Sequence, residues 1–328
     1  MNKPGSPPLP LALAALEHAL DPHGPSSLDP AVPAHVWRRA LVGPAGEFLA
    51  RPGKALRTTI VKAGWLLGGG DARAFPERLA LVLELLHAGS LVIDDVEDGS
   101  IERRGAPALH CIVGTPLAIN TGSWMYFWAL AELADLGLDP SALATAVRAL
   151  VRCHQGQALD LAVVITDLDP REVTAVVATT TKLKTGQLCR LAAELGAIAA
   201  GASLERRARI GEFAEAMGTG LQMLDDLGSL ACPDRRDKGR EDLRAARPTW
   251  PWAWLVGDPQ WDDLISLSRD PARLDELADR LSSATLERGR ACIRTTLDRA
   301  LADLRASCPD PIIDHIASEL ARMETSYG

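Results

Sequence analysis

The sequence predicts an all-α protein: a single-domain bundle of long helices. Two observations lead there. From Trp37 onward, long stretches rich in Ala, Leu, Arg and Glu alternate with brief Gly/Pro punctuation, which favours helices over β-branched strands. Helix starts are also chemically marked: Pro116 follows Thr115, and Pro170 follows Asp169 with Glu172 at the third helical position, where capping groups satisfy free amides. With 47% hydrophobic residues, a chain of 328 residues can bury one large core, although its length alone would also accommodate two ordinary domains.

Taken in order, residues 1–34 form a leader rich in proline (Pro4, Pro7, Pro8, Pro10, Pro22, Pro25, Pro30 and Pro33), in which only a short amphipathic helix near Leu9–Leu16 is expected. The helical domain then covers 35–328. Its expected helices are 35–50, 54–68, 76–97, 116–135, 141–166, 170–185, 187–200, 204–230, 248–257 and several from 259 to the end. Segment 231–247, with Pro233 and many charges, reads as a loop.

A net charge of -8 argues against a nucleic-acid or anionic-membrane binder, since both need a basic surface. Any basic site is therefore local. No apolar run reaches the eighteen or so residues of a membrane span, so no stable membrane insertion is expected. The six cysteines are scattered, with no CxxC pair and no zinc spacing, which fits reduced thiols in the cytoplasm.

The chemistry sits in charged clusters on apolar helices. Leu81–Asp95 and Phe213–Asp226 are both apolar stretches ending in an aspartate pair, Asp94-Asp95 and Asp225-Asp226; facing one cavity, they would make a cation cage. In Asp94-Asp95-Val96-Glu97-Asp98, Asp94 and Asp98 lie one helical turn apart and Asp95 also neighbours Asp98. Such carboxylates repel unless a cation balances them, and clustered oxygens suit a hard ion such as Mg²⁺; the bland alternative is a solvated acidic helix end. Arg103 and Arg104 follow within a short loop, and paired guanidinium forks grip phosphate bidentately, although a salt-bridge network would use the same residues. Lys54 and Arg57 open an apolar helix, where free amides favour an anion. His87 falls two turns before Asp94 on the same face, as either a ligand or an ordinary core histidine.

The ordered set Gly-Lys-x-x-Arg, His-x6-Asp-Asp-x-x-Asp, Arg-Arg-Gly-x-Pro, Lys-Thr-Gly, Gln-x-x-Asp-Asp and Asp-Leu, spanning roughly residues 50–251, resembles the trans-isoprenyl diphosphate synthases. Gly53–Thr58, Ile119-Asn120-Thr121 and Met125-Tyr126-Phe127 are most similar to geranylgeranyl diphosphate synthases of eukaryotic type. The resemblance implies the isoprenoid synthase fold, with helices around a central cavity. It implies that Asp94, Asp95, Asp98, Asp225 and Asp226 hold Mg²⁺, three ions per site, on an allylic diphosphate. Arg103, Lys184 and Lys238 would bind that diphosphate, and Lys54, Arg57, His87 and Arg104 would bind isopentenyl diphosphate. Thr185 and Gln222 would line the reacting carbons. A homodimer is also implied.

Some positions depart from the pattern. Ser229 stands where many members have a third aspartate, Ile93 replaces a frequent histidine, Arg247 replaces a usual lysine, and the loop after Lys238 is one residue short. An alkyl tail hanging from the metal-bound diphosphate would run back along the helix carrying Asp94, about one isoprene unit per helical turn. Gly89 and Ser90 are too small to close that path at the first turn. Leu86 and Trp124, with the aromatics around it, are candidate deeper residues, so geranylgeranyl diphosphate is the expected product. The competing readings are a farnesyl diphosphate synthase, a class I terpene cyclase, which needs no second diphosphate site, and a non-catalytic partner subunit.

Overall fold

In the computed structural model, which describes residues 10–19, 28–53, 56–232, 236–307, 313–314 and 316–318, helices follow one another along nearly the whole chain, as the composition predicts. They are α1 (Pro10–Ala19), α2 (Ala34–Trp37), α3 (Gly43–Leu49), α4 (Leu56–Leu67), α5 (Glu77–Glu97), α6 (Leu109–Val113), α7 (Thr115–Asp135), α8 (Ser141–Ala162), α9 (Pro170–Thr181), α10 (Gln187–Ala199), α11 (Leu204–Ala231), α12 (Arg236–Arg244), α13 (Trp250–Leu255), α14 (Trp261–Ser268) and α15 (Leu274–Ser307). Widened π turns occupy Arg38–Val42 and Lys182–Gly186. The described strands, β1 (Glu102–Arg103) and β2 (Ala106–Pro107), form one small antiparallel hairpin.

The described residues divide into two compact units: Met1–Ala146 with Leu195–Gly201, and Val147–Glu194 with Ala202–Gly328. Helix α5 is the centre of the first. It is apolar nearly all round, and from Leu79 to Val92 most of its side chains are buried, the pattern of a helix enclosed by others. It packs on α4 and α7, and α1 packs on α3 and α5 through buried Ala12 and Leu16. The approach of α7 is very close: a Cβ at Gly89 would lie 2.7 Å from the Gly122 carbonyl oxygen.

In the second unit α11 packs along α15, and their apolar faces join α9, α13 and α14 in a core containing Trp250, Trp252 and Trp254. The expected capping box is present at the start of α9, where Asp169 and Glu172 satisfy each other's backbone amides. The reading of 231–247 as a loop is corrected. Arg236–Arg244 is a helix, because buried Leu243 gives the charged stretch an inward residue and Gly239 lets it approach α11 closely; a Cβ there would collide with the Ser229 carbonyl oxygen. Among the described residues, no helix is long and apolar enough to cross a membrane.

Candidate active site

In the first unit the last turn of α5 carries the acidic cluster, with Asp98 as its C-terminal cap donating its amide to the Asp94 carbonyl at 2.8 Å. The hairpin that follows turns Arg103 back onto this end. Its Nε donates to Asp95 Oδ1 at 2.6 Å, a second guanidinium nitrogen contacts the same oxygen, and Nη2 reaches Asp94 Oδ2 at 3.4 Å. Asp95 is fully buried, and burial raises its pKa against the lowering pull of Arg103. Two members of the expected diphosphate site, one acid and one base, are thus already an ion pair.

Beside it lies a group of cations. Burial first, then Arg57, Arg104 and Arg103, hold the His87 pKa well below its ordinary value, so this histidine is neutral near pH 7. Arg104 is itself lowered, by burial and by Arg57, Arg103 and Arg51, while Glu84 pulls the other way. Burial is the larger cause of both shifts, and the smaller contribution of neighbouring arginines reflects like charges near one another, which suits a polyanion. Lys54 lies outside the described residues, and so does the Lys238 side chain.

In the second unit a chain of hydrogen bonds joins the expected residues Thr185, Gln222 and Asp226 to Trp250 and Thr181, and so links four elements. Thr185 Oγ1 donates to Gln222 Oε1 at 2.8 Å, and Gln222 Nε2 donates to Asp226 Oδ1 at 2.8 Å. The Trp250 amide donates to Asp226 Oδ2 at 3.1 Å, and its indole donates to Thr181 Oγ1 at 2.9 Å. Burial pushes Asp226 up to about 7, against hydrogen bonds from Gln222 and Trp250, with Asp242 and Asp225 adding to the rise. Ser229 is buried and donates to the Asp226 carbonyl at 2.8 Å, so it braces its own helix.

The π turn Lys182–Gly186 presents Lys184, whose Nζ lies 2.7 Å from Asp160 Oδ2 on α8. Arg247 Nη1 lies 4.0 Å from the same oxygen and 3.4 Å from Asp242 Oδ1. Gly156, one turn before Asp160, makes room: a Cβ there would stand 2.8 Å from the Lys184 nitrogen.

The chain-length candidates occupy varied surroundings. The missing side chain of Gly89 is taken up by the α5–α7 approach, Ser90 donates to the His87 carbonyl at 2.8 Å, Leu86 is buried, and half-buried Trp124 stacks on Trp128 at 4.8 Å. Sequence reasoning missed Asp160, Trp250, Glu47 and Arg51. A carboxylate seven residues after Cys153 on α8 carries no local signal, and partners are what distinguish it.

A divalent ion fits the first cluster. The donors are hard carboxylate oxygens, and Asp95 Oδ2 is buried with no hydrogen-bond partner, a position that a cation would satisfy. Among the described residues no three acidic, histidine or cysteine side chains converge as a ready cage, and the turn of Asp95 toward Arg103 is one reason.

The chain resembles known proteins along most of its length. A geranylgeranyl pyrophosphate synthase of Hypoxylon pulicicidum is 34% identical over 211 residues, covering 62% of this chain and 52% of that protein. A geranylfarnesyl diphosphate synthase of Aeropyrum pernix is 29% identical over 302 residues, 88% of this chain and 93% of that protein. The chain spans about half the length of two fungal geranylgeranyl pyrophosphate synthases that it matches, 52% and 56%. Among solved structures, a heptaprenyl diphosphate synthase from Staphylococcus aureus superposes with a TM-score of 0.79 at 20% identity, covering 96% of each chain, and so shares the all-α isoprenoid synthase fold. With residues 38–272 matching the polyprenyl synthetase model, the chain belongs to the polyprenyl synthetase family.

Proposed function

We propose that this chain is a Mg²⁺-dependent trans-prenyltransferase that joins isopentenyl diphosphate head-to-tail to an allylic diphosphate (dimethylallyl, geranyl or farnesyl), with geranylgeranyl diphosphate as main product. One observation carries the reading. Arg103 pairs with the acidic end of α5 and lies near the arginines around His87, so one small region brings together carboxylate oxygens suited to a hard cation and guanidiniums suited to a diphosphate. A cyclase, with a single diphosphate to hold, has no use for the Arg57 and Arg104 group. The names of relatives support both geranylgeranyl and longer products.

Asp94, Asp95 and Asp98, with Asp225 and Asp226, would hold the ions. When bound, Mg²⁺ neutralises the departing pyrophosphate. The remaining work falls to side chains of this chain. Arg103 and Lys184 grip the allylic diphosphate, and their charge favours ionisation of its carbon–oxygen bond. Thr185 and Gln222, locked to each other, turn oxygen dipoles toward the cationic carbon. Arg57, Arg104 and neutral His87 orient isopentenyl diphosphate, whose double bond attacks. The proton then leaves to the bound pyrophosphate, since His87 is committed to a buried, cation-flanked position. The protein works as a cytoplasmic homodimer.

Incubation with Mg²⁺, isopentenyl diphosphate and each allylic starter, followed by mass analysis, tests this. Geranylgeranyl diphosphate is expected, and chelation of the metal should abolish turnover. A cyclic hydrocarbon formed without consumption of isopentenyl diphosphate would replace elongation by cyclisation.

A further inference from the structure

We infer that Arg51 is a positioning residue: it braces the hairpin that carries Arg103 and Arg104, and thereby sets the reach of both arginines, without touching either diphosphate. This rests on the functional reading above. By position alone Arg51, two residues before Gly53, passes for one more anion ligand. The geometry points elsewhere. Arg51 is 6% exposed, and each of its guanidinium nitrogens is already bonded inside the protein. Nε and Nη2 donate to Glu47 one helical turn earlier, at 3.2 and 2.8 Å. Nη1 donates to the Arg103 carbonyl at 2.9 Å, and Nη2 donates to the Pro107 carbonyl at 2.8 Å.

Those two carbonyls belong to opposite strands. The hairpin has just two rungs, Glu102 opposite Pro107 and Arg103 opposite Ala106, too few to hold themselves in water. Its two turn residues both have positive φ, 56° at Arg104 and 76° at Gly105. Such a turn favours Asn or Gly first, and an arginine there keeps its conformation only when surrounding contacts impose it. The Arg51 fork clamps both strands from behind, and the Arg51 and Arg104 guanidiniums both lie over the Phe48 ring, 5.1 and 5.6 Å from its centroid. A lysine has the charge but no planar fork with which to join two carbonyls.

The test uses the full chain with Mg²⁺, isopentenyl diphosphate and farnesyl diphosphate, comparing wild type, Arg51→Lys, Arg104→Ala and the double variant. Arg51→Lys is expected to raise KM for both substrates roughly tenfold while changing kcat less than about threefold, the size of one or two lost charged hydrogen bonds. In the Arg104→Ala background the same change should raise the isopentenyl diphosphate KM less than about twofold, because the residue it positions is gone. Unchanged KM values with a lower active fraction would make Arg51 a stability residue and overturn the inference. A full tenfold effect persisting without Arg104 would mean direct phosphate contact, and overturns it equally. If Arg51→Lys does not fold, Glu47→Gln, which keeps both carbonyl bonds but loosens the fork, should raise KM about threefold; no change refutes the brace. Failure of the wild type itself to use isopentenyl diphosphate would instead bring down the functional reading, and this proposal with it.

Discussion

His87 and Arg103 are opposite solutions to burial. The histidine sheds its charge, whereas the arginine keeps its own by pairing with Asp95. The unfolded chain binds a proton at His87 below about pH 6.5, while the folded protein takes it up only well below that. Between those two points the unfolded state holds more protons, so His87 makes stability fall as pH falls, by up to about 1.4 kcal/mol per pH unit. Urea unfolding of the metal-free protein at pH 7.5 and 5.5 should therefore give a smaller difference for His87→Gln than for wild type; equal differences would mean that His87 titrates normally. For the pair, Arg103→Ala leaves the Asp95 carboxylate buried and unpaired. A loss of roughly 3–5 kcal/mol is expected by urea unfolding, and a surface arginine such as Arg273 should cost far less.

At the scale of elements, glycines decide how near one helix comes to another. Gly156 on α8 admits the π turn that presents Lys184 and Thr185, and a widened turn is itself often the mark of a functional site. Gly156→Ala pushes this turn outward. It should cost about 1–3 kcal/mol by thermal or urea unfolding, and lower kcat of the folded fraction; retained kcat would separate the turn from catalysis. Gly89 plays the same part between α5 and α7. Gly89→Ala should destabilise by about 1–3 kcal/mol whatever it does to product length, so an aromatic placed there to shorten the product will first disturb helix packing. By size alone, Gly89 and Ser90 before Asp94 make room for a prenyl tail an expectation of the sequence. That α7 fills the space at Gly89 was not legible there, because the partner, Gly122, lies on another helix.

For the whole molecule, the expected dimer needs an apolar face. Along α8, Leu143, Val147 and Val151 recur every four residues and are 38%, 45% and 55% exposed. The double variant Val147→Glu/Val151→Glu should shift the mass measured by light scattering from dimer to monomer, while an unchanged dimer would place the interface elsewhere. Most of the helices, the two aspartate pairs, the paired arginines and the family could be read from the chain alone, because each is written in spacings of a few residues, which in the helices become a shared face. What only the tertiary structure decided is which of those groups are already spoken for. Asp95 turns to Arg103, Lys184 rests on Asp160, a charged loop becomes α12 around Leu243, and Arg51 holds carbonyls 52 and 56 residues away. Contacts over such separations leave no local periodicity, and burial makes them decisive, since a charge removed from water must take whatever partner the fold brings to it.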